Sequence, residues 1–71
     1  MTRQEAIARC RVLQARYARY GDKGRIGHDW AAEWAMTLLD TRQPVSLYAN
    51  WIAQQEARAD RMDRQLRGER A

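Results

Sequence analysis

Several things are scarce in this chain of 71 residues, and each scarcity excludes something. A single cysteine, Cys10, leaves no intrachain disulfide, and a single histidine, His28, leaves no ordinary Cys/His zinc set within one chain. Proline occurs once, lysine once and phenylalanine not at all. No apolar run approaches the roughly 18 residues of a membrane span. The first residues lack the uninterrupted apolar core of a secretory signal. These absences lead us to expect a cytoplasmic protein with a reduced thiol, no membrane partner and no metal or other cofactor.

What is present is cationic and rich in helix formers. Thirteen Lys+Arg face nine Asp+Glu, a net charge of +4. Twelve of the cations are Arg, beside twelve Ala, a bias typical of GC-rich coding that suggests a bacterium or one of its phages. Residues 1–25 carry +5, residues 26–56 carry −3 and residues 57–71 carry +2, so basic ends flank an acidic middle.

The pattern predicts a single all-α domain of three helices: long, short and apolar, long. The first covers about 2–20, where Ala6, Cys10, Leu13, Tyr17 and Tyr20 recur at spacings of four and three and share one face. Three glycines in residues 21–27 mark a loop. The second helix covers about 29–40, with Asp29 at its positive end. Its apolar residues span about two-thirds of its circumference, so it needs cover on more than one side. A small chain offers little such cover, and we expect a homodimeric bundle with Trp34, Met36, Leu38 and Leu39 at the interface. The third helix covers about 44–67, with Pro44 in its first turn. Val45, Tyr48, Ile52, Gln55, Ala59, Met62 and Leu66 form its seam, and Asp60/Arg64 and Asp63/Arg67 are spaced to pair along its surface. Residues 68–71 form a frayed tail.

Nothing in the chain has the spacing of a catalytic set. Cys10 sits on an apolar face as a small hydrophobe, far in sequence from His28, the one imidazole a catalytic thiol would need as its base. Asp29 and Glu33 form a solvated helix edge. The Gly-rich stretch lacks phosphate-loop spacing and follows a helix, not a strand. We therefore expect no enzyme.

Binding is better supplied. Arg9, Arg16 and Arg19 share a flank of the first helix, and Lys23 and Arg25 punctuate the loop. Trp30 and Trp51 lie at the margins of their apolar arcs. Arg and Trp dominate interface energetics, so these seven residues are the candidate partner-binding set. A second pattern competes with it. The second helix, the break after it and residues 46–52 resemble a helix-turn-helix, in which Ser46, Asn50 and Gln54 would read base edges. Acidic Asp29, Glu33 and Asp40, and a recognition helix without Arg or Lys in its first turns, oppose that arrangement. The expectation is a non-enzymatic modulator or inhibitor that docks on a host protein, such as a transcription regulator or defence component. A helix-turn-helix DNA-binding regulator is the alternative, so nucleic acid remains a possible partner.

Overall fold

The computed structural model describes residues 1–68, which form three α-helices and no strand. Helix α1 runs Arg3–Ala18, a 3₁₀ turn follows at Gly21–Gly24, α2 runs Arg25–Thr37 and α3 runs Val45–Gly68. No helix is long and apolar enough to cross a membrane. Of the tail expected at 68–71, Gly68 ends α3 and the rest lies outside the described residues.

Thr2 starts α1 by accepting the Glu5 amide at 3.1 Å, which satisfies one of the orphan donors of the first turn. Gly21, at φ +62°, reverses the chain after α1 in a conformation that L side chains avoid. The predicted face is the buried one: Ala6, Cys10, Leu13 and Tyr17 of α1 and Tyr20 just past its end meet Ala31, Ala35 and Leu38 of α2 and the connection after it, and Tyr48, Ile52 and Ala59 of α3. Small residues on both sides let α1 and α2 approach closely. Cross-helix pairs fix the directions. Arg9 with Glu56 and Arg16 with Asp63 show α1 and α3 parallel, and α2 runs back between their ends.

The residues expected as a loop over 21–27 belong mostly to helices, and α2 begins at Arg25 rather than Asp29. The cause is steric. A Cβ on Gly24 would fall on the Tyr17 carbonyl oxygen, and one on Gly27 would lie 2.5 Å from Cζ of the Tyr17 ring. These glycines are close-approach residues that let the start of α2 lie on Tyr17, not sources of flexibility. At the other end α2 stops at Thr37, short of Asp40. Arg3 explains how that end is finished. Its guanidinium donates to the carbonyl oxygens of Leu38, Asp40, Thr41 and Gln43 at 3.0, 3.1, 3.1 and 2.6 Å. A cation thus caps the negative end of α2 and holds the connection to α3. Asp40 tightens that connection by accepting the Arg42 amide at 3.0 Å.

Candidate functional site

Helix α3 has two flanks that are held differently. Toward α1 it is tied by polar contacts. The Tyr17 hydroxyl donates to the Gln55 carbonyl at 3.1 Å and to Gln55 Oε1 at 2.6 Å. The Tyr20 hydroxyl reaches the Ala59 carbonyl at 3.1 Å and also bonds Asp63. Arg9 pairs with Glu56, and Arg16 with Asp60 and Asp63 at 2.7 and 2.8 Å. Burial pushes up the hydroxyl pKa of both tyrosines, while the Tyr20 hydrogen bond and Arg16 hold Asp63 below its ordinary value.

Two expectations change here. Arg9 and Arg16, predicted at a partner surface, are instead engaged inside the chain as the clamp between α1 and α3. Asp60 and Asp63 turn toward Arg16 across the helices; among the described residues neither makes the predicted ion pair with Arg64 or Arg67. Arg19, Lys23 and Arg25 are exposed, as a contact surface requires.

Toward α2 the same helix shares the apolar core, and at the surface the two helices meet through aromatic rings. Trp30, Trp34, Trp51 and Tyr48 form a continuous strip, with successive centroid separations of 6.3, 5.8 and 5.2 Å. No hydrogen bond or ion pair links α2 to α3 among the described residues. The helices part above the strip and leave an open groove of about 500 Å³, edged by Glu33, Thr37, Gln54 and Gln55. Trp30 and Trp51 stay 47% and 38% exposed, so both keep surface for a partner.

The four residues expected between two copies of the chain divide. Leu38 is fully buried in its own core and is unavailable to a second copy. Trp34 is half-buried in the groove wall. Met36 on α2 and Leu39 in the connection after it are exposed, and neither lines the groove. Of the helix-turn-helix residues, Ser46 and Asn50 are exposed on the outer face of α3 and Gln54 sits on the groove's lip. The connection before α3 spans 38–44, longer than the roughly three to four residues of that motif's turn, and contains no glycine.

The chain matches no protein-family model, no curated protein and no solved structure.

Reactive groups do not converge. Cys10 is buried, and desolvation pushes its thiol up to about 11, which keeps it protonated at neutral pH. His28 has only the neighbouring Asp29 carboxylate, at 3.2 Å. No group of three or more His, Cys, Asp or Glu that could hold a metal occurs among the described residues.

The sequence left one cationic site unrecognised. Lys23 of the 3₁₀ turn and Arg58 and Arg61 of α3 line a second concavity of about 440 Å³, with Met62 and Gln65. No acid lines it, and none of the three cations makes an ion pair among the described residues. The signal was available in the four-and-three spacing of Leu47, Trp51, Gln54, Arg58, Arg61 and Gln65, a stripe beside the buried seam.

Proposed function

We propose that this protein is a non-enzymatic interaction module that docks on another protein through the groove between α2 and α3, in keeping with a small bacterial or phage-encoded modulator of a host protein. The observation that carries this reading is the strip of Trp30, Trp34, Trp51 and Tyr48, which two half-exposed indoles leave open to solvent. Clustered aromatics that keep exposed surface are the usual anchors of protein interfaces.

The test is affinity capture from a GC-rich bacterial lysate with the tagged chain and with its Trp51→Ala variant, each in nuclease-treated and untreated halves. A protein retained by the parent chain in both halves and lost with Trp51→Ala supports the reading. Retention that Trp51→Ala leaves unchanged overturns it, and so does retention only where nucleic acid survives.

The DNA-binding alternative draws support from the exposure of Ser46, Asn50 and Gln54. It predicts duplex binding that falls steeply as salt rises. The length of the connection before α3 and the internal pairing of Arg9 and Arg16 weigh against it.

We further propose that two copies associate through Met36 and Leu39, which are 63% and 59% exposed. Light scattering on a size-exclusion peak then gives twice the 8.3 kDa of one chain. A monomer mass at tens of micromolar, a concentration at which a dimer of ordinary affinity persists, excludes this arrangement.

A further inference from the structure

We propose that the groove and the cationic concavity are one continuous docking surface, and that its occupant is an amphipathic helix of a protein partner, apolar at one end and acidic at the other. This rests on the interaction-module reading and specifies the partner's chemistry.

The stripe along α3 carries the argument. Trp51, 38% exposed, lines the groove, and Leu47, 49% exposed, precedes it by one turn. Gln54 forms the lip of the groove, and Arg58 and Arg61 follow on the same stripe into the second concavity, where Lys23 joins them from the turn before α2. The surface therefore passes along one line from apolar to cationic. At about 1.5 Å per residue, Arg58 and Arg61 lie roughly 10 and 15 Å along the helix axis from Trp51. A partner helix laid in this channel would rest apolar side chains on Trp30, Trp34 and Trp51. Two to three turns away it would offer carboxylates to Lys23, Arg58 and Arg61. Charge excludes the opposite polarity, because three cations line the far end with no acid among them. A single-stranded nucleic acid would also combine stacking with cations. Glu33, at the edge of the aromatic groove, disfavours it, because the phosphates would have to pass that carboxylate.

The probes are three Trp-free, alanine-based helical peptides. Each has leucines at i, i+3 and i+4 and a pair of polar residues two to three turns further on, which is Glu in one, neutral Gln in the second and Lys in the third. All three tryptophans of the protein line the groove, so their fluorescence reports occupancy directly. The expected order of affinity is Glu over Gln by about fivefold, the worth of two exposed ion pairs, with Lys weaker than Gln. Raising the salt narrows the gap between Glu and Gln. The double substitution Arg58→Gln, Arg61→Gln touches no ion pair among the described residues and, with Lys23 alone left, shrinks the Glu preference to less than half.

Equal binding of all three peptides to the parent chain overturns the proposal, as does an unchanged Glu preference in the double variant. A short oligothymidylate that displaces the Glu peptide also overturns it, in favour of single-stranded nucleic acid. If the peptides fail to discriminate while Trp51→Ala still abolishes capture of a protein partner, the acidic-helix proposal falls and the interaction module stands. If that capture is also absent, both fall.

Discussion

The two flanks of α3 hold it by different physics. Against α1, two tyrosine hydroxyls and two arginines make directional contacts at fixed heights, so the register of the helices is set to a fraction of a turn. Against α2 the contacts among the described residues are apolar, with the exposed part made by rings, and such contacts are attractive but tolerate sliding and parting. Because the α1 side supplies the alignment, the α2 side is free to stay open. A small chain can therefore keep three tryptophans in a groove without losing its fold.

The sharpest way to break that arrangement is to push α2 off α1. Gly24→Ala sets a methyl against the Tyr17 backbone carbonyl, which has nowhere to go, and Gly27→Ala sets one against the Tyr17 ring. Each is expected to cost about 1–3 kcal/mol or more, as overpacking does. The control is Gly68→Ala, whose added Cβ meets nothing within 4 Å and which is expected to leave the midpoint nearly unchanged. Urea melts of the three variants check the order.

Arg3→Ala comes next. It removes the donors that serve four carbonyl oxygens at the end of α2, at a cost of about 2 kcal/mol for a cationic donor to partly buried acceptors. Because Arg3 sets where α3 begins relative to α2, its loss is expected to widen the groove. Tryptophan emission shifted to the red in the still-folded variant would register this. Unshifted emission would mean that ring contacts alone fix the groove.

These residues also mark what the sequence made legible. The buried face of α1 could be read from its spacing, because helical periodicity is local. The seam of α3 was readable for the same reason as far as Met62, while Leu66, expected to continue it, is exposed; Gln55, a poor seam residue by type, proves to be the acceptor for Tyr17. Trp30 and Trp51 stood at the margins of their arcs, and both keep exposed surface. Gly24 and Gly27 misled because three glycines in seven residues look like a loop, whereas the demand for them comes from Tyr17, seven and ten residues away. Arg9 and Arg16 looked available because their acids lie more than forty residues distant, and only the packed register of α1 on α3 brings them together. Arg3 was one cation among seven at the start of the chain, and no local pattern marks a residue that caps a different helix.

Tyr17→Phe isolates one contact of the α1 flank. The ring stays in place and only the hydroxyl is lost, leaving the Gln55 carbonyl and side-chain oxygen without that donor. The expected cost is about 1 kcal/mol. Amide exchange should quicken along α3 near Gln55, and because Gln55 also edges the groove, peptide binding there should weaken, though far less than in a tryptophan variant. A loss of binding comparable to that of a tryptophan variant would show that the two flanks are coupled rather than independent.

The smallest effect is the response to acid, and it reports the same flank. The Tyr20 hydroxyl, and after it Arg16, hold Asp63 below the ordinary carboxylate value of 3.8. On the connection before α3, the Arg42 side chain and then its amide do the same for Asp40. A carboxyl that binds its proton less readily when folded stabilises the fold above its unfolded pKa. That contribution is complete above about 4 and is lost as pH falls through the depressed folded values. Asp63→Asn is expected to flatten the acid limb of a stability-pH curve, and Asp40→Asn to flatten it less, because Asp63 joins two helices while Asp40 closes only a local turn. At the alkaline end the sign reverses. Cys10, raised from 9.0 to about 11, favours the fold while protonated, and that advantage is lost as pH climbs through this window. Tyr17 and Tyr20, also raised, extend the loss to higher pH. Asp40 apart, both limbs act on α1, the turn after it and their contacts with α3. A shallow acid limb that survives Asp63→Asn unchanged would show that the polar flank does not carry the alignment attributed to it.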